Sequence, residues 1–187
     1  MEVFVFSYNR GDYLRNCLES IVRHAPNANV TVYDDFSIDP EVLRVLQEYE
    51  DEYTIIRNEI PDRSHYVGGL YSNMNRALQD ARSDIALFIQ DDMQLVRDVD
   101  EKEIEYVRKF FDAYPNSVEL HTGFLKGRQR SKKKENIEVD LDVPVYFRRP
   151  EGKGSINFSA VGVIHVGRLN RDNYFFSGYE ADNDARI

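Results

Sequence analysis

Four short apolar runs, each of the first three followed by a stretch of helical periodicity, leave this chain few folds to choose from. Val3 to Ser7 (VFVFS), Val30 to Tyr33, Tyr53 to Arg57 and Asp84 to Gln90 are rich in β-formers and too short for typical helices. After the first, Tyr13, Leu14, Cys17, Leu18, Ile21 and Val22 recur at helical spacing, with Asp12 as the expected N-cap. A second helix runs from about Pro40, a residue suited to a first turn, to about Tyr49. A third follows Gly68-Gly69, with Leu70, Met74, Ala77, Leu78 and Ala81 on its apolar face. The order β-α-β-α-β-α-β implies right-handed crossovers and a largely parallel sheet covered by helices. Such a sheet gathers the carboxyl ends of strands one, two and four on one edge, where open α/β sheets bind their ligands.

That edge carries two aspartate pairs. Asp34-Asp35 ends the second strand, and Asp91-Asp92 ends the fourth, in the stretch IALFIQDDMQL. Adjacent carboxylates are poorly explained by packing, because like charges repel and lose hydration on burial. A divalent cation bridging them to a phosphate removes the difficulty. Alone, Asp91-Asp92 reads equally well as a solvated turn, and the lesser alternative for Asp34-Asp35 is a pair capping the next turn, since Asp is common in both places. Two pairs on one edge favour a binding site.

Beyond Asp92 the pattern changes. Ile104, Val107, Phe110 and Phe111 predict one amphipathic helix closed by Pro115, and Val118–Phe124, Ile137–Val143, Val145–Arg149 and Ile156–Val166 read as shorter, mixed strands. Lys126 to Lys134 (KGRQRSKKK) reads as a solvated loop, with contact to an anionic acceptor or a membrane surface as its functional alternative. His121 and His165 read as packed histidines and Cys17 as core; no Cys/His spacing suggests zinc. A formal charge of −9 argues against broad nucleic-acid binding. One cysteine excludes an internal disulfide and fits a reducing cytosol. Met1 running straight into a strand leaves no room for a signal peptide, and no apolar run spans a bilayer, so a cytoplasmic location is expected. At 187 residues a single domain is expected.

With these motifs in order, the sequence resembles the family 2 glycosyltransferases of the GT-A fold, nearly end to end. VFVFSYNRGDYLRNCLESI resembles the family's opening strand, Tyr-Asn-Arg turn and first helix, and VTVYDDFSID its second strand with the Asp-Asp-x-Ser-x-Asp segment. SNMNRAL is similar to the helix before the metal strand, and IALFIQDDMQL to the Asp-x-Asp strand, with Gln90 in place of the first aspartate. NFSAVGVIHVGRLNRDNYFFSGYEADNDAR resembles the acceptor-side strand and helix ending in an acidic motif.

The resemblance implies one α/β GT-A domain over 1–187, Rossmann-like, with a nucleotide-binding half (1–95) and a C-terminally short acceptor-side half (96–187). It implies a nucleotide-sugar donor bound by Ser7, Asn9, Arg10, Asp34, Asp35, Asn75 and Asp91, with Asp34 or Asp35 accepting a hydrogen bond from a uracil imide. Asp92 matches the ligand for Mn²⁺ or Mg²⁺. Setting Arg186 against the family's closing arginine makes Glu180 the general base, with Asp182 as the alternative, and an in-line attack by an acceptor hydroxyl inverts the anomeric centre. The acceptor is a glycan, a lipid-linked sugar or a small molecule. The chain has no Trp, so the Gln-x-x-Arg-Trp motif of processive synthases is absent and transfer of single sugars is expected. The rival reading is a non-catalytic GT-A domain that binds a nucleotide or glycan. A nucleotidylyltransferase would need a Gly-rich loop after the first strand, and a dinucleotide enzyme G-x-G-x-x-G; neither is present.

Overall fold

A computed structural model describes residues 1–61, 68–121, 137–140, 145–148, 161–179 and 182–183. Its strands are β1 (Glu2–Ser7), β2 (Asn29–Asp34), β3 (Thr54–Arg57), β4 (Ala86–Gln90), β5 (Glu119–Leu120), β6 (Ile137–Asp140), β7 (Val145–Arg148) and β8 (Gly162–Ile164). Its helices are α1 (Gly11–His24), α2 (Pro40–Tyr49), α3 (Leu70–Asp80), α4 (Glu101–Ala113) and α5 (Val166–Arg171). Six strands form one sheet in the order β3-β2-β1-β4-β8-β5, and β6 pairs with β7 in a separate antiparallel hairpin. The first four neighbours are parallel, as the alternation requires, and β8 runs antiparallel to both β4 and β5.

Successive side chains of a strand face opposite sides of its sheet, and β1 divides its residues accordingly. Val3 and Val5 pack with Leu14, Cys17, Leu18 and Ile21 of α1, Val42 and Val45 of α2, and Phe110 and Phe111 of α4. Phe4 and Phe6 face the other layer, with Tyr71, Met74 and Leu78 of α3 and Val166 and Leu169 of α5. Both faces of the central strands are therefore buried. This is why those strands read as unbroken apolar runs.

Arg168 fixes the antiparallel extension. Its guanidinium donates to the carbonyls of Phe111, Tyr114 and Ser117 at 2.6–2.9 Å and lies over the Phe111 ring. Those carbonyls belong to the end of α4 and the turn after it, where helix carbonyls lack partners of their own. One side chain thereby binds α5 to α4.

Several expectations change. Helix α1 begins at Gly11 with Arg10 at the N-cap position, so Asp12 lies inside the first turn and caps nothing. Its charge still suits a helix N-terminus. The expected strand Ile156–Val166 gives way at His165, which precedes α5 and stands edge-on to the Phe111 ring. Burial, and then Arg168, hold the His165 imidazole below its ordinary pKa. It is packed as expected, but at a helix start instead of within a strand. His121 is exposed, which corrects its reading as a packed residue. The basic run Lys126–Lys134 lies outside the described residues, as does Glu180. No helix among the described residues is long and apolar enough to cross a membrane.

Candidate active site

Register places the site. In the parallel ladder Ser7 lies opposite Asp34, and Phe6 lies opposite Gln90. Backbone pairing continues one step past the strands, since the Asp35 N–H donates to Ser7 O and the Asp91 N–H to Phe6 O. Both aspartate pairs therefore leave the sheet on either side of the turn Tyr8-Asn9-Arg10.

That turn is stitched to its neighbour. Asn9 adopts a left-handed conformation (φ 50°), which Asn tolerates better than most residues. Its N–H donates to Ser37 Oγ (2.9 Å), and its Oδ1 accepts from Ile38 N (2.8 Å) and Asp39 N (3.0 Å). Asp39 in turn accepts from Glu41 N, capping α2.

The two members of the first pair have different surroundings. Asp34 is fully buried and accepts from the Ser37 N–H, the Ser37 hydroxyl and Arg57 Nε. Arg57 also donates to Ser37 O (2.8 Å). Asp35 accepts from Asn58 Nδ2 (3.0 Å) and from the Gly69 N–H (2.7 Å) at the start of α3. A carboxylate at a helix N-terminus meets unpaired N–H groups and the positive end of the dipole. Gly69 is required by proximity: a Cβ there would lie 2.2 Å from Asp35 Oδ1.

Asp91 is 4% exposed and accepts from the Tyr8 N–H at 3.1 Å. Burial pushes its carboxyl up to about 6, opposed by the Tyr8 N–H and by Arg10. Asp92 projects outward. Arg10 Nη1 stands 2.9 Å from Asp92 Oδ2 and 3.6 Å from Asp91 Oδ1, so one guanidinium nitrogen serves both carboxylates. Beneath them Cys17 is fully buried with its Sγ toward Gln90 O (3.8 Å). Burial first, then Asp91 and Asp92, push the thiol up to about 12, which leaves it inert. Ser7 Oγ is buried and has no hydrogen-bond partner among the described residues.

These residues fit a hard divalent cation. No group of three or more His, Cys, Asp or Glu side chains among the described residues could enclose one. Mg²⁺ and Mn²⁺ at phosphate sites need no such cage, because one or two carboxylates suffice when a diphosphate and water complete the shell. Asp91 beside the turn and Asp92, open to solvent, match that demand.

Asn75 is occupied elsewhere. Its Nδ2 donates to Phe176 O (2.9 Å), and its Oδ1 accepts from Phe176 N (2.7 Å). With Asn170 Nδ2 on Leu78 O and Phe176 stacked on Tyr71, the chain after α5 climbs α3 from its end toward its start. It thus heads for the rim where Gly69 meets Asp35. Asp182, exposed, accepts from Ser177 Oγ (3.1 Å), and Asn183 brackets the Ser177 backbone from both sides. A cavity of about 360 Å³ between α3 and this segment is lined by Asn75, Gln79, Asn170 and Phe175, among others. Two of its carboxamides are spent on backbone groups, so it reads as a packing groove.

The structure adds residues that the sequence reading passed over. Tyr8 exposes its ring (53%) on the rim; Arg57 and Asn58 hold the first aspartate pair; Gly69 admits Asp35 to the helix. Tyr8, Arg57 and Gly69 left a trace, as the head of the Tyr-Asn-Arg turn, the end of the third strand and half of the Gly68-Gly69 break, but none with a role in the site.

Known proteins share this fold. The chain is similar to Staphylococcus aureus TarS 1-349 solved in complex with UDP, at a TM-score of 0.66 and 21% identity over 98% of this chain and 52% of that one. It is also similar to the mannosyltransferase PcManGT from Pyrobaculum calidifontis, solved with GDP-Man and Mn²⁺, at 0.60 and 17% over 98% and 49%. The galactosyltransferase LgtC, solved with donor and acceptor sugar analogues, follows at 0.53 and 15% over 100% and 69%. The chain spans about half the length of the TarS and PcManGT chains it matches. No curated protein matches it by sequence. These likenesses establish a GT-A fold. The family model for glycosyl transferase family 2 matches residues 2–175, from the first strand to the segment that climbs α3, and the chain belongs to that family.

Proposed function

We propose that this protein is a metal-dependent, inverting glycosyltransferase that moves one sugar from a nucleotide sugar, UDP-linked, to an acceptor hydroxyl in the cytoplasm. The observation that carries the proposal is the pair of aspartate-bearing strand ends flanking Ser7–Arg10, with Asp92 open to solvent and Arg10 beside it. A nucleotide sugar presents a base, a diphosphate and an anomeric carbon, and the edge offers a group for each of the first two.

Asp34 has accepted three hydrogen bonds and shapes the turn. Asp35 has accepted two and keeps capacity for an imide N–H. Ser7 and Asn9 set the backbone on which the base and ribose lie, and Asn75 contributes by fixing the tail. Mg²⁺ or Mn²⁺ on Asp92, with Asp91 adjacent, would supply Lewis-acid stabilisation of the charge that develops on the diphosphate. Arg10 brings a positive charge to the same place. Glu180, or Asp182 two residues on, takes the proton of the acceptor hydroxyl. The tail's course along α3 as far as Phe176 supports that role, because it heads for the rim.

The test is sugar transfer and slow donor hydrolysis, measured with UDP- and GDP-sugars in Mn²⁺. Asp92→Ala is expected to lower kcat/KM by about 100-fold or more, the scale on which one electrostatic stabiliser acts. Glu180→Gln or Asp182→Asn should lower kcat with little change in donor KM. Full activity in all three variants refutes the site, and turnover of GDP-sugars alone replaces the uridine assignment.

A further inference from the structure

Arg10 occupies a position that its own helix does not explain. It stands at the N-cap of α1, where Ser, Thr, Asp or Asn would satisfy a free N–H, and its side chain caps nothing. Instead the guanidinium reaches across to residues 81 and 82 positions later, with Nη1 on Asp92 at 2.9 Å and near Asp91 at 3.6 Å. Its other nitrogens have no partner among the described residues. Asp91 is buried and bound on its far side by the Tyr8 N–H, so Arg10 supplies the positive charge that holds the two carboxylates together.

We infer that Arg10 is a built-in counter-ion that holds the Asp91–Asp92 site closed to a free divalent cation and gives way when the cation arrives with a diphosphate. The inference rests on the proposed nucleotide–metal site and adds a coupling between its two ligands. Charge drives the exchange, since a dication seated between the two carboxylates would lie directly beside the guanidinium that now spans them, and like charges at that range repel. Without a diphosphate, the cation must displace Arg10 and leave it unpaired. With one, the displaced guanidinium has phosphate oxygens beside it, a geometry it recognises well. Cation and nucleotide therefore bind cooperatively, and by linkage each raises the affinity of the other by the same factor.

Mn²⁺ titration followed by the electron paramagnetic resonance of the free ion tests this on the intact protein. It would use wild type, Arg10→Gln, Arg10→Lys, Asp92→Ala and the Arg10→Gln/Asp92→Ala double variant, each with and without UDP or GDP. With Mn²⁺ alone, Arg10→Gln should bind about three- to fivefold more tightly than wild type, the scale of a half-exposed ion pair. Arg10→Lys, which keeps the charge, should stay near wild type, and the double variant should lose the gain. The factor by which nucleotide tightens Mn²⁺ should shrink in Arg10→Gln. Equal or weaker Mn²⁺ binding by Arg10→Gln, including no binding by either protein, overturns the counter-ion role. If wild type also shows no Mn²⁺-dependent nucleotide binding, the proposed site itself falls; if that binding is present and lost in Asp92→Ala, the site stands without the coupling.

Discussion

Replacing Gly69 by alanine would press a methyl group into the carboxylate of Asp35. The added Cβ would lie 2.2 Å from Oδ1, 2.8 Å from Cγ and 3.1 Å from Oδ2. Gly69 has φ −83°, so alanine meets no backbone strain, and the whole effect comes from the contact. The carboxylate must retreat by about 1 Å to restore van der Waals distance. Its 2.7 Å bond from the Gly69 N–H and its 3.0 Å bond from Asn58 oppose that movement. Overpacking costs about 1–3 kcal/mol, and weakening a hydrogen bond to a charged acceptor costs about 1.5–3 kcal/mol. A total of about 3 kcal/mol follows if the two partly overlap. For a chain of this size that lowers Tm by roughly 6–12 °C.

Urea denaturation of wild type, Gly69→Ala, Asp35→Ala and the double variant makes the test specific. Asp35→Ala is destabilising on its own, because it strands the Gly69 N–H and the Asn58 amide. It also removes the atoms that the methyl group meets. In the Asp35→Ala background, Gly69→Ala should therefore cost about 1 kcal/mol or less, giving a coupling of about 2 kcal/mol. An equal cost in both backgrounds would refute the reasoning, as would a single-variant loss below about 1 kcal/mol. Nucleotide binding should fall with stability in Gly69→Ala, because the residue displaced lines the proposed base site.

Arg168→Met keeps the stem against Phe111 but abandons three carbonyls, and should cost about 2–4 kcal/mol in urea denaturation, with Arg168→Lys recovering only part because an ammonium cannot fork. Cys17 should resist iodoacetamide at pH 8–9 in the native protein and react promptly in urea, since burial lifts its thiol to about 12. The sign follows from linkage: with the native value above the unfolded one, this group's contribution to stability is whole below pH 9 and is lost as pH rises toward 12, a slope that Cys17→Ala should remove. Rapid native alkylation would contradict the burial on which that prediction rests.

Local patterns made the parallel half of the fold legible. Pro40 is a start signal strong enough that α2 has the bounds its sequence predicts. The apolar runs of β1 and β4 are unbroken because helices cover both faces. The position of β8 was not legible. A three-residue strand pairing antiparallel between β4 and β5 is chosen by tertiary packing, with Arg168 holding the neighbouring helix, and no period in the sequence encodes it. The site divides the same way. That two aspartate pairs share one edge follows from strand order, whereas their partners do not. Arg57 reaches Asp34 through the β2–β3 register, and Arg10 meets Asp92 across 82 residues. The reading of Asp34-Asp35 as a turn cap was also sound in part, for Asp34 does hold its own turn while Asp35 meets a different helix.

The parallel register of β1 with β2 and β4 has a consequence for how this chain tolerates changes in length. Ser7 against Asp34 and Phe6 against Gln90 act as a ruler that aligns two carboxylate pairs contributed by separate strands. Inserting or deleting one residue in any of the three would shift one pair by about 3.3 Å and turn every side chain beyond it to the opposite face. Variation in length should therefore collect in the connections at the amino ends of the strands, such as Ala25–Ala28, where added residues move nothing on the far edge. Within the strands, relatives that keep the chemistry should differ by substitution and hardly ever by length.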